Sequence, residues 1–146
     1  MSKKVLITGG NKGIGLAISR AMLEFGYEII IVARDFDTCP LVGVANVTCI
    51  EYDLSNVDGL CELAKEVGDV DILINNAGYM QPKYTYDNYP KEARDHIMNV
   101  DLYTPIELMN LFSVGMKKRK YGRIVNTASI AGQIGHPDVW YGIAKA

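Results

Sequence analysis

The stretch Val5-Leu6-Ile7-Thr8-Gly9-Gly10-Asn11-Lys12-Gly13-Ile14-Gly15 decides the fold. Its first part, Val5–Thr8, is a short apolar run that reads as a buried strand, and glycines follow it at once. From Gly15 to about Phe25, the residues Leu16, Ile18, Met22, Leu23 and Phe25 give a helical apolar face that Gly26 stops. A glycine turn between strand and helix lets the backbone approach a pyrophosphate closely. The helix N-terminus then offers it free N–H groups and partial positive charge. A purely structural turn would use the same residues, but the position between a first strand and a first helix favours nucleotide binding.

The same alternation continues outward. Glu28–Ala33 is a second continuous apolar strand, Asn46–Tyr52 a third, and Asn56–Val67 a second helix. Asp71–Asn75 is a fourth strand. A long helical region spans Lys91 to Lys120, with a break expected near Pro105, where a helix loses a backbone donor. Arg123–Thr127 is a fifth strand, and another helix begins near Trp140. Strands that are apolar at successive positions are buried on both faces, and strict alternation with helices predicts a doubly wound parallel α/β sheet, a Rossmann fold. The segment Asp35–Ala45, around Pro40, predicts no regular helix.

Composition narrows the function classes. A chain of 146 residues fits one domain of the usual roughly 100–200 residues. Its formal net charge of −2 argues against a general nucleic-acid binder. Three cysteines, Cys39, Cys49 and Cys61, form no CxxC or Cys/His cluster, so no metal site is expected and a reducing, cytoplasmic setting is. No apolar run approaches a membrane span or a signal-peptide core. The basic run Lys117-Lys118-Arg119-Lys120 reads as the cationic end of a helix.

The second strand closes with Val32-Ala33-Arg34-Asp35, and this decides which dinucleotide is expected. NAD sites place an acid near this strand end to accept from the ribose 2′-hydroxyl. Here Ala33 stands in that place. Arg34 with Lys12 offers a planar fork and a point charge for a 2′-phosphate, so NADP(H) is preferred and NAD(H), through Asp35, is the competing reading. Asp53, after the third strand, either receives the adenine amino group or caps the following helix. Asn75-Asn76-Ala77-Gly78 forms either a tight backbone against a ribose or a plain turn.

Late in the chain, Ser129 follows the fifth strand, and Tyr141-Gly142-Ile143-Ala144-Lys145 opens a helix. The i, i+4 spacing puts Tyr141 and Lys145 on one face. A phenol titrates near pH 10 in water, and an adjacent ammonium favours its phenolate and makes it a usable acid–base group. Ser129 would hold the oxygen of a carbonyl or alcohol. His136 reads as a loop residue and Trp140 as a packing residue, while Tyr79, Tyr84, Tyr86 and Tyr89 fall in a loop at the ligand edge.

Taken in order, these motifs resemble the short-chain dehydrogenase/reductase family in its TGxxxGxG branch, over Thr8 to Lys145. Thr8–Ile18 with Val32-Ala33-Arg34-Asp35 is similar to NADPH-dependent carbonyl reductases. Asn99-Val100-Asp101 and Ser129-Ile130-Ala131-Gly132 are equally similar to bacterial 3-oxoacyl-carrier-protein reductases. The resemblance implies that Gly9, Asn11, Gly13, Ile14 and Gly15 form the pyrophosphate turn, with Lys12 and Arg34 at the 2′-phosphate. It places Asp53 and Leu54 by adenine, and Asn75, Ala77 and Gly78 along the adenosine ribose. It implies a catalytic set of Asn99, Ser129, Tyr141 and Lys145. Asn99 would hold a water linked to Lys145, while Lys145 would also bind the nicotinamide ribose. The implied substrate is a small carbonyl or alcohol compound, and the helices of residues 91–120 are the implied surface for a homodimer or homotetramer.

The family continues well past the residue corresponding to Ala146, so the sequence reads as a single dinucleotide-binding domain over residues 1–146, truncated after strand five. A nucleotide-binding module without turnover is the alternative function.

Overall fold

A computed structural model of the chain describes residues 2–81 and 83–146. Strand β1 (Lys4–Thr8) leads into helix α1 (Gly13–Glu24), and β2 (Glu28–Ala33) and β3 (Val47–Glu51) follow. A single 3-10 turn at Val57–Gly59 precedes α2 (Leu60–Val67), and β4 (Ile72–Asn75) comes next. Helix α3 (Lys91–Met98) passes through a π turn at Asn99–Tyr103 into α4 (Thr104–Arg119). Strand β5 (Arg123–Asn126) and helix α5 (Val139–Lys145) complete the strands and α-helices, with further 3-10 turns at Tyr86–Asn88 and Ile130–Gly132.

The five strands form one sheet in the order β3-β2-β1-β4-β5, and every pairing is parallel. This is the doubly wound Rossmann arrangement predicted from the alternation. Because side chains alternate along a strand, the sheet feeds two cores. Leu6, Ile30, Val32 and Leu73 pack on one face with Leu60 and Leu63 of α2 and Leu108, Phe112 and Met116 of α4. Val5, Ile7, Ile29, Ile31, Ile72 and Ile74 pack on the other, where Leu16, Ile18 and Met22 of α1 cover them. Burying each such aliphatic side chain contributes about 1.5–3 kcal/mol, which is why the central strands hold the register Val5↔Ile29 and Val5↔Ile72.

Two local expectations shift. The helix predicted from Asn56 begins as a 3-10 turn and becomes α-helical only at Leu60. The interruption expected at Pro105 lies one turn earlier, as the π turn; Pro105 sits in the first turn of α4, directly after it. Strand β5 is an edge of the sheet, and all four of its residues are exposed, including Ile124 and Val125. The order reverses between β1 and β4: the chain proceeds to β2 and β3 on one side of β1, and to β4 and β5 on the other. Ligands of open α/β sheets bind at such a reversal, beyond the strand C-termini.

Candidate functional site

The glycine turn is built by close backbone contact. Gly9 has φ +65°, a left-handed conformation that favours glycine, and its N–H donates to the Val32 carbonyl at 2.8 Å. A Cβ on Gly15 would stand 2.0 Å from the Gly9 carbonyl oxygen, so only hydrogen fits there. Ser19, fully buried, donates from Oγ toward the Gly15 carbonyl at 2.9 Å and the Gly10 carbonyl at 3.1 Å. Asn11, also buried, donates from Nδ2 to the Asp35 carbonyl at 2.9 Å, tying this turn to the end of β2.

Strand β4 is tied to the same turn. Buried Thr8 accepts at Oγ1 from the Asn76 N–H at 3.0 Å and the Ala77 N–H at 3.1 Å. Asn76 returns its side-chain amide to the Thr8 carbonyl at 3.2 Å and the Gly9 carbonyl at 3.3 Å. Around these contacts lies a cavity of about 470 Å³, within the range of ligand pockets. Its walls carry Gly9, Asn11, Lys12, Ile14 and Gly15 from the turn, with Arg34 and Asp35 from the end of β2. Asp53 and Leu54 follow β3, and Ala77 and Gly78 follow β4. Ser129, Tyr141 and Lys145 line it as well. Given the strand order, Asp53 and Arg34 fall toward one side of this edge and Ser129 toward the other.

The structure thus brings together most of the predicted site residues, while Gly13, Asn75 and Asn99 stand off the cavity wall. Asn75 points into the fold and donates from Nδ2 to Asn126 Oδ1 at 2.9 Å. Its neighbour Asn76 takes the wall position, as expected when adjacent residues leave a strand end on opposite sides. Asn99 donates from Nδ2 to the Ser55 carbonyl at 2.9 Å, and so supports the loop after β3. Residues two apart on a helical turn face opposite sides, and Asp101 occupies the side toward Lys145. Its Oδ1 lies 3.1 Å from Lys145 Nζ, with Asp101 fully buried and Lys145 only 10% exposed.

The competing cofactor signals both reach the cavity, since Arg34 and Asp35 line it. The Arg34 guanidinium lies 5.5 Å from the ring centroid of Tyr79, another wall residue. Partial burial raises the Asp53 carboxyl, but the Ser55 N–H bonded to Oδ1 at 2.9 Å, with the nearby charges of His96 and Arg34, holds it below the usual range. Of its two readings, the local bond to Ser55 is the capping-type contact.

Tyr141 and Lys145 share one face of α5, with Nζ 5.7 Å from the phenol ring centroid. Asp138 caps this helix, accepting from the Tyr141 N–H at 3.2 Å. It is fully buried and also accepts from the Gln81 N–H and, at 3.0 Å, from the Tyr89 hydroxyl. The His136 ring lies 5.3 Å from that of Tyr141. Ser129 accepts at Oγ from the Ala131 N–H at 3.2 Å, which leaves its hydroxyl proton for another acceptor. An Asp immediately before a helix is a capping signal, so Asp138 was readable; nothing in the sequence singles out Asp101.

No helix among the described residues is long and apolar enough to cross a membrane, and no cluster of three metal-ligating side chains occurs among them. Residues 3–146 match the short chain dehydrogenase family. The chain is 36% identical to the ketoacyl reductase HetN of Nostoc sp. over 143 residues, 91% of this chain and 50% of that protein. It is 33% identical to an acetoacetyl-CoA reductase of Shinella zoogloeoides, covering 100% of this chain and 63% of the relative. Among solved structures, a 4-hydroxyisoleucine dehydrogenase complexed with NADH superposes with a TM-score of 0.92 at 25% identity, over 99% of this chain and 62% of that one. A metagenomic short-chain oxidoreductase in complex with NADP gives 0.87 at 25% identity, over 98% and 69%. The chain therefore spans between half and two-thirds of the length of these curated relatives. With its glycine turn, parallel sheet and Tyr141/Lys145 helix, it belongs to the short chain dehydrogenase family.

Proposed function

We propose that the chain is the dinucleotide-binding and proton-transfer part of an NADP(H)-dependent oxidoreductase acting on a small carbonyl or secondary alcohol. The observation that carries this reading is the shared cavity, whose walls hold the glycine turn, Arg34, Ser129, Tyr141 and Lys145 together. A Cβ on Gly15 would meet the Gly9 carbonyl oxygen at 2.0 Å, and one on Gly9 would press on Ala77 at 3.0 Å. Glycines therefore keep this turn tight, as close backbone approach to a dinucleotide requires. Arg34 and Lys12, both exposed at that wall, suit a 2′-phosphate.

When bound, the nicotinamide supplies or accepts a hydride at C4. On the reduction side Tyr141 Oη would give its proton to the carbonyl oxygen as the alcohol forms. Ser129 donates its hydroxyl to the reacting oxygen and orients it. Lys145 holds a positive charge beside the phenol and binds the nicotinamide ribose. Asn99, whose side-chain amide is anchored on the Ser55 carbonyl, would hold a water linked to Lys145. The exposed side chains Tyr103, Ile106 and Val114 support pairing of copies through the α3–α4 region, as a homodimer or homotetramer. Three free thiols support a cytoplasmic setting.

The test is NADPH oxidation against a panel of ketones and β-ketoesters, with Tyr141→Phe as control. Turnover that Tyr141→Phe abolishes supports the proposal. Retained NADPH binding with no Tyr141-dependent turnover overturns it and leaves a nucleotide-binding module.

A further inference from the structure

Lys145 Nζ lies 5.7 Å from the Tyr141 ring centroid, and its ion-pair partner is a carboxylate. Asp101 lies within the π turn between α3 and α4, fully buried, with Oδ1 3.1 Å from Lys145 Nζ. Its two oxygens also accept from the Tyr79 N–H, at 3.2 and 3.0 Å. Gly78 closes the contact from the cavity side, where a Cβ would stand 3.1 Å from Asp101 Oδ1 and 3.8 Å from Lys145 Nζ. The ion pair therefore links three pieces of the site: the π turn, the start of the β4 loop, and α5.

We infer that Asp101 is a positioning residue that holds the Lys145 ammonium beside Tyr141 and brings the net charge of the Asp101, Lys145 and neutral Tyr141 group to zero. The inference rests on the proton-transfer reading of Tyr141. A lone ammonium would act on the phenol with its full charge, whereas a buried carboxylate 3.1 Å away cancels much of that field. Other charged or titratable groups surround the pair without replacing Asp101. From α5 come Tyr141 and its cap Asp138, whose three acceptor contacts are donors other than Lys145. The β4 loop gives Tyr79, and α3 gives His96, packed edge-on against Tyr79, and Arg94, which lies over Trp140. His136 touches the Tyr141 ring. Burial holds the Asp101 carboxyl above the usual carboxylate range, and Lys145 and the Tyr79 N–H oppose that rise.

Two readouts test the role. In the unmodified chain, an amine-selective reagent followed by peptide mass spectrometry labels Lys145 far more slowly than exposed Lys117. Asp101→Asn raises that rate about tenfold at neutral pH, because a buried lysine without its partner gives up its proton more readily. Where the chain turns over, Asp101→Asn moves the pH profile of turnover about one unit lower, and Asp101→Glu keeps the original profile. Lys145 labelling at the Lys117 rate in the unmodified chain overturns the inference, even if Asp101→Asn does not fold. An unchanged labelling rate in Asp101→Asn, or an unchanged pH profile in a chain that turns over, also overturns it. Protected Lys145 in a chain with no turnover sinks the hydride-transfer reading and leaves Asp101's hold on Lys145 standing.

Discussion

Asn76 Nδ2 lies 3.3 Å from the Gly9 carbonyl oxygen, so the amide that follows β4 braces the turn that follows β1. The same amide reaches the Thr8 carbonyl at 3.2 Å. Asn76→Ala leaves these half-buried carbonyls without their donor, and a loss of about 1–3 kcal/mol in folding stability is expected. Urea unfolding measures it. Under the proposed function this braced turn cradles the pyrophosphate, so nucleotide affinity should fall in the same variant, read by quenching of Trp140 fluorescence on NADPH titration.

Two glycines of the turn separate conformational strain from steric exclusion. Gly13 has φ +54°, and a methyl placed there would meet nothing within 4 Å, so Gly13→Ala costs only the left-handed backbone, about 1–2 kcal/mol. Gly15→Ala forces a methyl against the Gly9 carbonyl oxygen, 2.0 Å away, and the turn must open. Thermal unfolding ranks them, with Gly15→Ala the more damaging, and NADPH binding is lost first in that variant. Equal effects would show that close backbone approach is not what the turn requires.

Arg34→Ala and Lys12→Ala test the cofactor preference. Removing a charge-assisted contact to the 2′-phosphate costs about 1.5–3 kcal/mol, at least tenfold in NADPH affinity, with NADH affinity nearly unchanged. Paired titrations with both nucleotides decide it. If Asp35→Ala weakens NADH binding while Arg34→Ala leaves NADPH binding alone, Asp35 is the ribose acid and the preference is reversed.

Tyr89 gives an alkaline signature. Burial, then its bond to Asp138, raises its phenol well above the ordinary value. The unfolded chain releases that proton near pH 10, whereas the folded chain releases it at higher pH. Its contribution is therefore whole below the unfolded value and is lost as pH rises toward the folded one. The stability difference between the parent chain and Tyr89→Phe should shrink as pH is raised beyond about 10. Urea midpoints across that range check it, and a difference that grows would contradict the assignment.

The sheet was legible because its signals are local. Apolar runs and glycines mark β1, α1 and β2, and the predicted bounds Glu28–Ala33 coincide with β2. The cavity wall was legible where backbone position alone puts a residue at a strand end, as with Arg34, Asp53 and Ser129. Side-chain direction was not. Whether Asn75 or Asn76 faces the cavity depends on where β4 ends, a difference of one residue that reverses the side. That Asp101 pairs with Lys145 depends on a π turn between α3 and α4 that no propensity announces.

The reversal of strand order between β1 and β4 has a consequence for how such a chain can diversify. The cleft opens there because the connections leave in opposite directions, so no hydrophobic side chain has to be missing to make room for it. The residues that give the cleft its character, such as Lys12, Ile14 and Arg34, are exposed, whereas Leu6, Ile31 and Leu73 of the strands beneath are almost wholly buried. Ligand preference and thermodynamic robustness are thus written in separate sets of positions, and selection can rewrite the first with little drift in the second.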